Sequence, residues 1–129
     1  NPAGLHDPVG FGYSHIARTA GGMVFIAGQY ASDEHGQVTT TDFGEQVARS
    51  LANLGTALAS VGLGFRDVVQ IRTHIVDHDA EKLTVLARQI RDIWGTRPPT
   101  QTLTGVAALA LPDMLFEIDA IAVAPATMS

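Results

Sequence analysis

The most constraining stretch of the sequence is residues 115–123, where apolar and acidic residues alternate. Alternation with a period of two is typical of a strand that buries one side. The apolar side of this strand carries Phe116, Ile118, Ala120 and Ala122. Glu117 and Asp119 share the other side, which is either a solvated sheet face or one that holds a carboxylate in a pocket to move protons. A companion strand is predicted just upstream, over residues 100–107.

Length and composition predict a single domain, residues 1–129, that is large enough for one hydrophobic core. Apolar residues make up 46% of the chain and charged residues 16%, which excludes global disorder and is consistent with a subunit that hides surface against copies of itself. The net charge is −5 and no Lys/Arg cluster occurs, so we expect no nucleic-acid partner.

Several kinds of site are excluded by the residues that the chain lacks. It has no cysteine, so disulfides, thiolate metal sites and thiol nucleophiles are impossible. None of the five histidines lies on a predicted helix, where the i,i+4 pair of a zinc site would occur, so we expect no metal. The first residues lack the features of a signal peptide, and no apolar run has membrane-spanning length. We therefore expect a cytoplasmic protein without a membrane partner.

The predicted order of elements is ββ-α-β-α-ββ, an α+β fold. An irregular arm over residues 1–12 precedes a hairpin formed by residues 13–18 and 23–29. A helix follows from Asp42, its N-cap, to about Ser60, with Glu45 at the capping-box position. A strand over residues 67–76, a helix over residues 80–94 and the two strands named above complete the chain.

The two helices can cover only one face of this mixed sheet. In strand 67–76 we expect that face to carry Val69, Ile71, Thr73 and Ile75, and the opposite face to carry Gln70, Arg72 and His74. The second helix should bury Leu83, Leu86, Ile90 and Trp94 (or Ile93). The uncovered face still carries apolar residues, and oligomerisation is the simplest way to bury it.

The chain resembles the RidA/YjgF family, whose members are small trimeric imine/enamine hydrolases. The resemblance covers roughly residues 10–124 and rests on segments that match in order and spacing. These segments are Tyr13-Ser14-His15, residues 22–29, residues 46–54, Asp67-Val68-Val69, Pro98-Pro99-Thr100-Gln101-Thr102, Gly105-Val106-Ala107 and residues 115–122. The resemblance implies a RidA/chorismate-mutase-like fold, a homotrimer whose sheets face a shared centre, pockets for a small-molecule metabolite between subunits, and no cofactor.

Glu117 matches the catalytic carboxylate of the family, which orients or protonates a water for attack on a C=N bond. Partial desolvation between subunits and repulsion by Asp119 would raise its pKa and let it shuttle a proton near neutrality. The alternative is that Glu117 is a structural hydrogen-bond acceptor. The strand order expected from the sequence would place it close to Gln101.

Gln101 takes the place of the arginine that grips a substrate carboxylate in the family. A Gln brings no positive charge, so either the substrate has no carboxylate there, or another cation replaces the arginine, or catalysis is lost. Arg72, on the uncovered face, is the candidate substitute. Arg97 suits the role less well, since four residues of extended chain, about 13 Å, separate it from Gln101.

The resemblance also implies a set of pocket residues. Tyr13, Ala27, Gly28, Trp94 and Leu103 match positions that line the family's pocket. Gly28 is best placed to offer a backbone group to a ligand, and Trp94 is alternatively a core residue. These assignments predict a RidA-like hydrolase or deaminase that acts on a small imine- or enamine-type metabolite. A non-catalytic trimeric protein that binds or senses a small molecule, and an interaction protein that works through its trimer surface, are the alternatives.

Overall fold

The computed structural model describes residues 1–125, so the last four residues of the predicted domain lie outside the described residues. Its helices and strands are β1 (Ile16–Arg18), β2 (Met23–Gln29), α1 (Phe43–Ser60), β3 (Val68–Val76), α2 (Ala80–Trp94), β4 (Thr100–Val106) and β5 (Phe116–Val123). Short 3-10 turns occupy Val9–Phe11 and Phe65–Asp67. The predicted α+β order is confirmed, although β1 is three residues shorter than expected because residues 13–15 do not join the sheet.

The five strands form one mixed sheet in the order β1-β2-β5-β3-β4. All neighbouring strands are antiparallel except β3 and β4, which are parallel because α2 connects them as a crossover. The alternating strand β5 therefore lies at the centre of the sheet, between β2 and β3. This central position explains why the four apolar residues on one side of β5 are buried.

The core lies between this sheet and the two helices. Phe116 and Ile118 of β5 are fully buried there, together with Ile71 and Ile75 of β3 and Leu54 of α1. Burying a side chain of this size stabilises the fold by about 1.5–3 kcal/mol. The helices cover only the face on which these residues lie.

The start of α1 was predicted correctly, but its capping box is not closed. Asp42 caps the helix, since its Oδ2 accepts a hydrogen bond from the Glu45 backbone N–H at 2.9 Å. The Glu45 carboxylate does not return to Asp42 and instead accepts from the Thr40 hydroxyl at 2.6 Å. The helix therefore has a capped first turn tied to the preceding loop.

Two of the residues expected in the core are exposed. Val69 is 47% exposed, because the register between β3 and β5 shifts between Val68 and Gln70 and the bulge turns Val68 inward instead. Leu83 is 46% exposed, because α2 buries only Leu86 and Ile90 and presents Leu83 to a groove beside Pro98 and Pro99.

The uncovered face of the sheet is partly apolar. Met23 pairs with Val123 and Phe25 with Ile121 across β2 and β5, and Met23, Phe25 and Val123 are about 40% exposed. No helix among residues 1–125 is long and apolar enough to cross a membrane.

Candidate active site

A cavity of about 450 Å³ opens where the N-terminal arm, β2, β5 and the loop between β4 and β5 meet. The arm contributes one side, the two strands the floor, and the loop the other side. Its lining residues are His6, Phe11, Tyr13, Ala27, Gly28, Tyr30, Ala110, Leu111, Met114 and Glu117. Four predicted site residues meet here: Tyr13, Ala27, Gly28 and Glu117.

The Glu117 carboxyl group lies against the backbone of Gly28. A Cβ placed on Gly28 would overlap Oε1 of Glu117 and come within 2.9 Å of its Cγ, so no other residue fits at position 28 without displacing the side chain. The strand is irregular at this point, because β2 gains a residue relative to β5 between Ile26 and Gln29. Such bulges are frequent beside active sites, where they redirect side chains. Gly28 thus makes room for the carboxyl group.

Burial raises the pKa of Glu117 above its ordinary value, His74 opposes this shift and Asp119 adds to it. His74 stands directly opposite Glu117 in the β3–β5 ladder, and Asp119 is two residues along the same strand. The carboxyl group therefore keeps its proton to a higher pH than a solvated Glu does, which is the property expected of a group that exchanges protons near neutrality.

Tyr13 is a neutral hydroxyl in the cavity. Its pKa is raised to about 12, first by burial and then by the nearby Tyr30 and Glu117. The Tyr13 oxygen lies 2.6 Å from Nε2 of His6, which is buried. Burial and the neighbouring His15 lower the pKa of His6, so the pair is uncharged at neutral pH.

His6 is the centre of an aromatic cluster that joins the arm to the sheet. Its ring lies 4.7–6.0 Å from the rings of Phe11, Tyr13, His15 and Tyr30. Such separations and the mostly edge-on geometry are those of favourable aromatic pairs. The cluster packs the arm's aromatic side chains into the cavity wall.

Hydrogen bonds fix His15 in one neutral form. Its Nε2–H donates to the carbonyl oxygen of His6 at 2.9 Å, and its Nδ1 accepts from the Gln29 side-chain amide at 3.0 Å. Burial lowers its pKa, which is consistent with this uncharged state. His15 therefore attaches the arm to β2 and has no free nitrogen for a ligand.

Gln46 of α1 holds the loop on the other side. Its Nε2 donates to the Asp113 carbonyl at 2.9 Å, and its Oε1 accepts from the Leu115 N–H at 2.9 Å. This buried amide brings Leu111 and Met114 to the cavity.

Arg72 lies on the uncovered face but outside this cavity. Its Nε donates to Asp119 Oδ1 at 2.8 Å, and the other oxygen of Asp119 is 3.3 Å from Nε2 of His74. Arg72 lines a separate depression of about 470 Å³, which shares Ala27 and Gly28 with the cavity. Its charge is compensated by Asp119, and within one subunit it does not face the Glu117 cavity.

Within one chain, Glu117 lies far from Gln101, Leu103 and Trp94. Gln101 pairs with Ile71 and borders the groove along α2, and β3 separates its strand from β5. The expectation that Gln101 and Glu117 are on adjacent strands was therefore wrong, because β5 pairs with β2 and β3 rather than with β4.

Leu103 and Trp94 are packing residues in this subunit. Leu103 pairs with Thr73 and packs against the core. Trp94 stacks edge-on with Phe65 at 5.4 Å and donates its indole N–H to the Phe65 carbonyl at 2.8 Å. Neither residue lines the cavity of one subunit, and their assignment to a pocket between subunits stays a prediction.

Six further residues line the cavity without having been predicted as site residues, namely His6, Phe11, Tyr30 and the loop residues Ala110, Leu111 and Met114. Of these, only His6 and Phe11 had a signal in the sequence, since they place an imidazole and an aromatic ring in an otherwise irregular arm. Among residues 1–125, no three His, Asp or Glu side chains are grouped so that they could hold a metal ion.

Comparison with known proteins identifies the family. A family model described as endoribonuclease L-PSP matches residues 6–124. The chain belongs to the RidA/YjgF family. The RutC family protein slr0709 of Synechocystis is 33% identical over 124 residues, which cover 92% of this chain and 91% of that protein. The RutC family protein YjgH of Escherichia coli strain K12 is 28% identical over 124 residues, which cover 96% and 92%.

Solved structures of RidA/YjgF proteins share the fold. YyfB from Yersinia pestis, described as a protein of unknown function of the conserved Rid family, is 36% identical, covers 96% of both chains and superposes with a TM-score of 0.76. The predicted family and the RidA/chorismate-mutase-like fold, with two helices on one face of a mixed sheet, are confirmed.

Proposed function

We propose that this RidA/YjgF protein is a hydrolase of small imines or enamines and that Glu117 is its proton-transferring group. One observation carries the proposal: a carboxyl group with a raised pKa is seated in an otherwise uncharged cavity, in a space that only glycine at position 28 leaves open. A structural acceptor would be expected to have its hydrogen-bond partners within the sheet. Among the described residues, no side chain or loop N–H donates a hydrogen bond to the carboxylate of Glu117.

The proposed reaction adds water to a C=N bond. The ionised Glu117 takes a proton from water while the water oxygen bonds to the imine carbon and the C=N π pair moves to nitrogen. The proton is then delivered to that nitrogen, which gives a carbinolamine. Glu117 next takes the hydroxyl proton of the carbinolamine and passes it to the amino group, the C–N bond breaks as the carbonyl forms, and ammonia leaves. Tyr13, which stays protonated because its pKa is about 12, donates a hydrogen bond to the imine nitrogen.

The proposed assembly is a homotrimer that buries the uncovered face. Its support is the partly exposed apolar row formed by Met23, Phe25 and Val123, together with the resemblance. A neighbouring subunit is also the only source of Gln101 for this cavity, since the Gln101 of the same chain borders α2. Light scattering at micromolar concentration should give three times the chain mass of 13.6 kDa; a monomer mass would remove the basis for shared pockets.

A second candidate is a trimeric binding or sensing protein without turnover. It is favoured by the glutamine at position 101, where the family has its carboxylate-binding arginine, and by the absence of Lys and Arg from the described residues that line the cavity. Under this alternative a ligand would bind and leave unchanged.

The two candidates are separated by measuring ammonia release from imines. We would offer the trimer 2-iminopropionate and a carboxylate-free imine, propan-2-imine, both of which release ammonia on hydrolysis, and record the rate above the uncatalysed reaction. Hydrolysis of either compound that depends on Glu117 supports the hydrolase. Saturable binding with no acceleration of either reaction would support the sensor and contradict catalysis.

A further inference from the structure

We infer that the cavity selects a cationic nitrogen compound without a carboxylate, such as an iminium ion or its amine analogue. This inference rests on the proposed site but concerns the class of its ligand. It comes from the charges and surfaces of the residues that line the cavity.

Among the described residues that line the cavity of one subunit, Glu117 is the only one that carries a full charge. His6 and Tyr13 are neutral, because burial lowers the pKa of the His6 imidazole and raises the pKa of the Tyr13 hydroxyl. An anionic ligand would thus meet a carboxylate and no counter-charge, whereas a cation would meet a counter-charge in a partly desolvated site. Arg72, the cation predicted to replace the arginine, is engaged by Asp119 and lines the neighbouring depression.

The walls are suited to a cation with an apolar body. Phe11, Tyr13 and Tyr30 offer aromatic rings, which attract cations electrostatically through their faces. Tyr30 donates its hydroxyl hydrogen to the Gly36 carbonyl at 2.6 Å, so in this cavity it presents mainly its ring. Leu111 and Met114 complete an apolar surface, and the volume of about 450 Å³ is that of a small-molecule site.

Three probes of one shape and different charge test the inference: cyclopentylammonium, cyclopentanol and cyclopentanecarboxylate. Their affinities for the intact wild-type assembly would be measured by titration calorimetry at neutral pH and low salt. We expect the ammonium ion to bind at least about tenfold more tightly than the alcohol, and the carboxylate to bind more weakly than both.

The Glu117→Gln variant tests how much the charge of the carboxylate contributes to the affinity for the ammonium ion. It should reduce the affinity for the ammonium ion to that for the alcohol and leave the alcohol's affinity within about twofold, because the replacement keeps the shape of the side chain. Glu34→Gln is the matched control, since Glu34 is an exposed turn residue outside the cavity, 77% accessible; it should leave the tenfold preference intact.

Equal affinities, a preference for the carboxylate, or no detectable binding of the ammonium ion overturns the inference. The hydrolase proposal is decided separately by the ammonia assay. Ammonium selectivity without hydrolysis of any imine would keep this inference and remove the enzyme. Hydrolysis of 2-iminopropionate together with tighter binding of the carboxylate probe would keep the enzyme and remove this inference.

Discussion

Replacing Gly28 by alanine should displace Glu117 from its seat. The added Cβ would overlap Oε1 of Glu117 and lie 2.9 Å from its Cγ, whereas ordinary contacts begin at about 3.4 Å. The conflict can be relieved only if the carboxyl group rotates out or if β2 and β5 separate. Overpacking of this kind costs about 1–3 kcal/mol of stability. Turnover should fall about 10²-fold, as for loss of a general acid–base group, and the tenfold preference for the ammonium ion over the alcohol should be lost.

Urea unfolding and the ammonia assay would measure the two effects on the same variant. Gly21→Ala is the matched control, because a Cβ at position 21 meets nothing within 4 Å and the backbone there is not left-handed. It should leave stability within about 0.5 kcal/mol of the wild type.

A double-mutant cycle identifies the cause. Glu117→Ala removes the atoms that collide, so Gly28→Ala should be clearly less destabilising in the Glu117→Ala background than in the wild type. If Gly28→Ala has wild-type stability and wild-type activity, the carboxyl group does not depend on the space at Gly28 and the reasoning is refuted.

Three further predictions concern charge, a buried hydroxyl and pH. The wild type should hydrolyse small 2-imino acids weakly or not at all, and Gln101→Arg should raise the rate at least about tenfold, the size of one charge-assisted hydrogen bond; fast wild-type turnover would contradict this. Thr73 is fully buried and its hydroxyl has no partner among the described residues, so Thr73→Val should raise the free energy of unfolding by about 1 kcal/mol in urea, and a loss would show a missed hydrogen bond. Burial raises the pKa of Glu117, His74 opposes this shift and Asp119 adds to it. The folded state therefore binds the proton of this carboxyl group more tightly than the unfolded chain does. Its contribution to stability is present at low pH and is lost as the pH rises through the folded-state pKa, so the melting temperature of the wild type should fall relative to Glu117→Gln as the pH rises above 4.5; a constant difference would mean that the pKa is not raised.

The fold could be predicted from the sequence because its signals are local and repeat. The alternation in β5, the cap at Asp42 and the break at Pro98-Pro99 each follow from neighbouring residues. The prediction of buried faces failed at two residues. Val69 is exposed because of the bulge in β3, and Leu83 is exposed because the buried side of α2 does not include it. Both features depend on how other segments pack, so the local sequence pattern does not indicate them.

The candidate site could be predicted only in part. Glu117 and Gly28 are both assigned by matching motifs, and the sequence resemblance does not reveal that the carboxyl group fills the space above the glycine. His6 comes to the cavity through contacts with Tyr13 and His15 across an irregular arm, which has no periodicity to read. Gln101 was misplaced because strand order is decided by pairing across the sheet, and β5 inserts between β2 and β3.

The role of Glu117 as the proton-transferring group is tested most directly by the Glu117→Gln variant, assayed for imine hydrolysis in the intact assembly. The assembly should be unchanged, since glutamine keeps the shape of the side chain, and turnover should be about 10²-fold or more below the wild type. If the variant instead loses its assembly or unfolds while the activity of the molecules that remain assembled is intact, Glu117 is a structural acceptor and its assignment as the proton-transferring group is wrong.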